Sequence, residues 1–322
     1  MTMPGLCKVV YGTPTDKCAV ALRIGIERGF FEDEGLDLSV RVVFGGPEIA
    51  AAYDSGALEI GEMGSPPAIN AIAAGKAFRI VASGCRQKAH MFFGAAKDIP
   101  VKDYQALKGR RIGMLGLGSC PDWIMRRILI CEGLNPDTDV TFVPLLDDYP
   151  RVIDFLADGR IDACLVSEPN IAIGEERGLL NYWTPAFVEP YLPDYQWIVR
   201  VARNELIARD PELIRAVLRG AQRSAHYAVD HVDEWVAFAA RQYRTTEAAA
   251  RRAVERERPH FQLDCRIDMP GFERSVALQR ELGGIRDGIQ ATDFLDLRFQ
   301  PDILAGSHAS SPAPTRVSAR HA

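Results

Sequence analysis

The 322-residue sequence contains no apolar run approaching the ~20 residues that cross a bilayer. It also lacks a basic excess. Its 38 Lys and Arg stand against 43 Asp and Glu, a net charge of −5, so the electrostatic footprint of a nucleic-acid partner is missing. No DNA-binding helix-turn-helix pattern is seen. The opening, Met1-Thr2-Met3-Pro4-Gly5-Leu6, has no basic segment followed by an apolar one. No signal peptide is therefore visible, and the expected location is cytoplasmic as written, or periplasmic if the start has lost a leader. The seven cysteines (Cys7, Cys18, Cys85, Cys120, Cys131, Cys164 and Cys265) form no C-x-x-C pair and no zinc spacing. An odd, scattered set of free thiols suits a reducing compartment. Cys7 and Cys164 fall in expected strands and read as small buried hydrophobes.

What is present is an alternation of strands and helices around one central stretch. Arg111 to Leu115 reads as a short buried strand, Gly116 and Gly118 as a tight turn, and Ser119 as the N-cap of a helix that stops at Gly133. Asp122, three residues after Ser119, completes the pattern of a capping box. Pro121 is tolerated in the first turn. Free N–H groups beside the positive end of a helix make a ready anion site, although a plain βα turn has the same pattern. The glycines form neither a dinucleotide fingerprint, since Pro121 stands where the third glycine belongs, nor a P-loop. No cofactor and no metal are expected.

Before this stretch, strands are expected at 7–11, 36–43, 58–62 and 78–84. The helices between them are expected at 19–31, 47–53 and 66–74. A second series begins at Arg111, with strands at 140–144 and 161–166 and helices at 120–132, 150–158 and 169–177. Residues 89–95 and 195–202 read as extended. Helices follow at 211–229, 232–242, 246–256 and 270–282, and a Ser-, Ala- and Pro-rich tail from 305 reads as disordered. This is an α/β chain with mostly parallel sheets. Ligands of such sheets bind beyond the carboxyl ends of the strands.

Four segments carry a family resemblance: "IGIERGFFEDEGL" (24–36), "LEIGEMGS" (58–65), "GRRIGMLGLGSCPDWIMRR" (109–127) and "FLADGRIDACLVSEP" (155–169). In this order they resemble the sulfonate-binding proteins of ABC importers and the related THI5/NMT1-like group, over residues 6–230 or so. The resemblance implies a two-lobed type II periplasmic-binding-protein fold. Lobe one would hold 1–92 and 200–304, lobe two 93–199, with two extended crossings as the hinge and a helical C-terminal supplement. It implies a small-molecule ligand (a sulfonate, carboxylate or heterocycle) trapped by lobe closure, with an ABC permease as partner. The alternative is a cytoplasmic enzyme on the same fold, a desulfinase- or decarboxylase-like lyase or hydrolase acting on an aromatic acid or sulfinate. A sensor that uses closure without transport is a third class. The synthase branch is disfavoured because its cysteine-rich iron-binding run is absent.

Candidate ligand contacts are Thr13, Gly46, Ser65, Gly118, Ser119 and Glu168. Ser65 and Ser119 also read as N-caps. Glu168 reads equally as a ligand contact and as a cap of the next helix. Cys18 and His90 are catalytic candidates only if the chain is an enzyme, as a thiolate–imidazolium pair. A buried inert thiol and a backbone-bonded histidine are the plainer readings. Trp123, Trp183 and Trp197 are candidate stacking walls, or core. Arg200 and Arg203 read as surface groups or cleft groups.

Overall fold

The computed structural model describes residues 5–86, 92–100, 103–182, 191–192 and 195–300. His90, Trp183 and the tail from 305 lie outside the described residues, as do positions 89–91 of the first expected crossing, whereas the second, 195–202, is described.

The first series runs β1 (Cys7–Thr13), α1 (Val20–Glu27), β2 (Leu36–Val42), α2 (Gly46–Ser55), β3 (Ile60–Gly64), α3 (Ser65–Ala73) and β4 (Phe78–Arg86). The second runs β5 (Phe92–Ala96), β6 (Arg111–Met114), α4 (Cys120–Cys131), β7 (Thr141–Pro144), α5 (Val152–Ala157), β8 (Ala163–Val166), α6 (Asn170–Glu176) and β9 (Leu180–Tyr182). The chain then returns through β10 (Gln196–Arg203) and closes with α7 (Asn204–Arg209), α8 (Pro211–Asp230), α9 (Val232–Tyr243), α10 (Glu247–Glu257) and α11 (Met269–Glu281).

Two five-stranded sheets result, in the orders β2-β1-β3-β10-β4 and β7-β6-β8-β5-β9. The expected parallel pairing holds for β2-β1-β3 and β7-β6-β8. It does not hold for the strands laid down after each passage between sheets. β10 runs antiparallel to β3 and β4, and β5 antiparallel to β8 and β9. β5 is an apolar run, and β10 is buried along nearly its whole length although Gln196 and Arg200 interrupt its apolar residues. Cover on both faces carries no mark of direction.

The helix expected over 19–31 ends at Glu27. Gly29 takes φ +73°, a left-handed conformation that glycine adopts without strain, and this stops the helix four residues early. Phe30 and Phe31 are thereby released to pack rather than to continue the spiral. The helix expected over 150–158 is likewise split. A 3₁₀ segment, Leu146–Arg151, precedes α5, because Pro150 donates no N–H to a continuing helix.

Sheet one is packed by Tyr11, Leu22, Phe31, Leu36, Ile60 and Val217. The core of sheet two gathers Phe93, Leu107, Ile112, Ile124 and Leu165, and continues without a break into Trp197 and Ile198 of β10. The two halves therefore meet through apolar contact as well as across a cleft. α10 packs on α6 and ties the C-terminal helices to the second sheet. There Arg256 bonds Glu168 at 2.7 Å and Glu175 at 2.6 Å. Among the described residues no helix is long and apolar enough to cross a membrane. Cys164 is buried as expected, but Cys7 is exposed, because it begins its strand beyond the cover of the helices.

Candidate functional site

Strand ends and helix starts from both sheets converge on a cavity of about 50 Å³. From the first half come Pro14 and Thr15 after β1, Gly46 at the start of α2, and Gly64 and Pro67 around the start of α3. Facing them are Leu115 after β6, Ser119 to Pro121 at the start of α4, Tyr149, and Ser167 after β8. Trp197 and Ile198 of β10 form the floor. Past Thr15, Lys17, Tyr149 and Ser167 the cavity adjoins an outer chamber of about 340 Å³, bounded also by Phe44, Glu168, Gln242 and Arg244.

Two glycines set how closely the halves approach. A Cβ on Gly46 would stand 2.9 Å from the Gly118 carbonyl oxygen, and one on Gly64 would run into Cys120 Sγ. Side chains at these positions would hold the halves apart, so the lack of a Cβ is what lets backbone meet backbone here.

The start of α4 is built differently from a capping box. Ser119 is the N-cap, but its hydroxyl donates back to the Gly116 carbonyl instead of accepting a helix N–H. Asp122 accepts the Gly118 N–H at 2.7 Å, one residue before the N-cap, and takes a further bond from Arg126 at 2.9 Å. Ser65 is not a cap either. Gly64 is the N-cap of α3, while Ser65 is its first residue and donates to the Gln196 carbonyl. Ser65 takes a tertiary partner in place of a cap, whereas Ser119 and Asp122 bond within their own turn.

Thr13 is fully buried and turned away from the cavity, its Oγ1 lying 3.0 Å from Glu62 Oε1. Gly118 holds φ +72° and accepts the Trp123 indole N–H at 3.2 Å, so Trp123 braces the turn from behind. Glu168 is 1% exposed at the edge of the outer chamber, where Oε2 accepts the Ala172 N–H of α6 at 3.0 Å and Oε1 accepts from Arg256. It is therefore both a helix cap and a chamber wall. Arg200 is neither a surface group nor a cleft group. It is buried in the sheet opposite Glu62, bonds the Ser83 carbonyl at 2.5 Å, and borders a third small cavity of about 30 Å³ behind Cys18. Arg203 pairs with Glu205 at 2.9 Å.

Cys18 does line the cavity, as do Gly46 and Ser119. Its thiol is pushed up to about 12, chiefly by burial and further by Glu62, with a Thr15 hydroxyl bond and Lys17 opposing. A thiol held protonated is a poor nucleophile. Lys17 sits beside it, ion-paired with Glu257, and burial lowers it to about 8 against the opposing pull of Cys18 and Glu168. Deeper still, burial raises Glu62 to about 7 despite Arg200, Thr13 and Tyr11. Lys17, Thr15 and Tyr149 were not candidates from the sequence, and Ser167 was expected only as part of a strand end facing the cleft. Lys17 and Glu257 lie far apart along the chain, so no local motif marks them as a pair.

The family model described as "NMT1/THI5 like" matches residues 20–235. A putative binding protein of Brucella abortus is 28% identical over 229 residues, which are 68% of this chain and 66% of that protein, so the match spans just under two thirds of that relative's length. Among solved structures, one from Bordetella bronchiseptica superposes with a TM-score of 0.77 at 20% identity, covering 93% of this chain and 96% of the other. The alkanesulfonate-binding protein SsuA of Xanthomonas axonopodis, solved with MOPS, gives 0.74 at 15% identity and covers 92% and 99%. The paired mixed sheets and the cleft between them agree with that likeness in fold. The chain belongs to the NMT1/THI5-like family.

Proposed function

We propose that this chain is the solute-binding component of an ABC-type importer and captures a small organic molecule between two lobes. Lobe one comprises 1–92 and 200–304, and lobe two 93–199. The observation that carries the proposal is the cavity itself. Its walls come from strand ends and helix starts of both sheets, the arrangement in which lobe closure encloses a ligand. The names of two structural neighbours, a ligand-binding component of an ABC-type import system and a periplasmic sulphonate-binding protein, support the same reading and a place outside the cytoplasmic membrane. The enzyme alternative receives less support, because the Cys18 thiol is held protonated.

The test is thermal unfolding with a panel of sulfonates, carboxylates and heterocycles. A ligand that binds only the folded chain stabilises it by RT ln(1 + [L]/Kd), about 2.7 kcal/mol at a hundredfold excess over Kd. A folded sample that no class of solute stabilises would count against the proposal. Turnover of an aryl sulfinate that Cys18→Ser abolishes would replace it with the enzyme reading.

A further inference from the structure

Three helices, α2, α3 and α4, begin on the wall of the inner cavity. A small anion at such a place is held by the free N–H groups of the first turn and by the positive end of the dipole. All three first turns are short of donors. Pro47 stands in α2, Pro66 and Pro67 in α3, and Pro121 in α4, and proline has no N–H.

Two of the three ends also carry a carboxylate of their own. Asp122 accepts the Gly118 N–H ahead of α4. The Glu48 carboxylate folds back over Gly45, the N-cap of α2, and fills the place a Cβ would take there. Lys17, the one charged side chain on the inner wall, is joined to Glu257. Burial raises the thiols of Cys18 and Cys120 and the phenol of Tyr149, which keeps all three neutral. Much of the remaining wall is apolar, with Ile49, Leu115, Pro121 and Trp197 prominent.

We propose, resting on the binding-protein reading above, that the inner cavity receives the uncharged, apolar end of the ligand and rejects a compact anion at the helix starts. Trp197 supplies a flat wall for a ring. The Thr15 and Ser167 hydroxyls supply neutral hydrogen-bonding groups where the cavity meets the outer chamber. Arg151 and Arg244 border that chamber, so charge on the far end of a ligand lies there. Of the three solute classes expected from the sequence, a heterocycle is the one with an uncharged face for this wall, and at about 50 Å³ the cavity admits a ring only with the lobes parted.

Calorimetric titration of the full chain with benzyl alcohol and with ethanesulfonate separates the alternatives. Benzyl alcohol should bind at least ten times more tightly. The double variant Pro121→Ala with Asp122→Asn, which restores a donor and removes a carboxylate, should raise ethanesulfonate affinity about tenfold. If that variant does not fold, Glu48→Gln on the exposed start of α2 takes its place, with a smaller gain expected. Ethanesulfonate binding the unaltered chain as tightly as benzyl alcohol would overturn the proposal, as would variants that fold and gain nothing. If neither compound binds while other solutes stabilise the chain, this inference fails and the binding-protein reading stands. If no solute of any class binds, both fail.

Discussion

Arg256 offers the sharpest test of how the C-terminal helices are tied to the second sheet. Glu168 is 1% exposed, and its carboxylate receives one bond from the Ala172 N–H and one from Arg256. Truncating Arg256 to Ala leaves that carboxylate buried with only a backbone donor. Removing one partner of a fully buried pair costs about 3–5 kcal/mol. The Arg256 side chain is 23% exposed, so water reaches the gap and brings the loss below that range, to about 2–3 kcal/mol. At roughly 2–4 °C per kcal/mol for a chain of this order of size, the unfolding midpoint should fall by about 4–12 °C. Urea and thermal denaturation of Arg256→Ala measure it. Arg251→Ala on the same helix is the control, since its pairs with Asp233 and Glu247 are exposed and worth well under about 1 kcal/mol. Pairing Arg256→Met with Glu168→Gln should recover most of the loss, because the charge then left without Arg256 is the partly exposed Glu175 and not the buried Glu168. An Arg256→Ala protein within about 0.5 kcal/mol of the unaltered chain, the usual range of a surface substitution, would refute the reasoning.

The remaining expectations concern the buried titratable groups. At pH 7.5 iodoacetamide should alkylate the exposed Cys7 and Cys131 well before Cys18, whose thiol burial pushes up to about 12. Peptide mass spectrometry gives the order, and Cys18 reacting first would contradict the burial argument. Glu62 is raised to about 7 in the folded chain from an ordinary value of 4.5. A raised carboxyl contributes stability that is whole below the unfolded value and is lost as pH climbs through the folded one. Glu62→Gln should therefore gain stability relative to the unaltered chain between pH 5 and pH 8, by on the order of 1–3 kcal/mol. An unchanged difference across that range in urea titrations would show that Arg200 offsets the burial cost in full.

The sequence made the order of elements legible because most of its signals are local. Gly56 closes α2 with a positive φ, within two residues of its expected end. Pro211, Thr246 and Pro270 lie at the starts of the C-terminal helices, which fall within a residue or two of the periodic pattern. Gly29 was the local signal overlooked. The site was legible only in its frame. Gly46 and Ser119 lie on the cavity wall because they follow strand ends, which a pattern of alternation locates. The hydroxyls of Ser65 and Ser119 and the carboxylate of Asp122 have the residue types of caps, yet Ser65 reaches the distant Gln196 carbonyl while Ser119 and Asp122 close the glycine turn ahead of the helix. The pairs Lys17–Glu257 and Glu168–Arg256 join residues far apart in the chain and follow from no spacing rule. The direction of β5 and β10 was hidden for the same reason.

The position of β10 governs the order in which the molecule is completed. β3 and β4 flank one missing strand, and that strand is 110 positions downstream of the end of β4. At the ~5–20 residues per second of synthesis, the gap lasts roughly 5–20 s. For that interval the first sheet has two unpaired inner edges, and Glu62 is without the arginine that lies opposite it in the finished molecule. Open edges of this kind invite pairing with other chains. A ribosome-bound fragment ending at residue 195 should therefore recruit holdases or aggregate. One extended through 203 carries the strand that closes the gap.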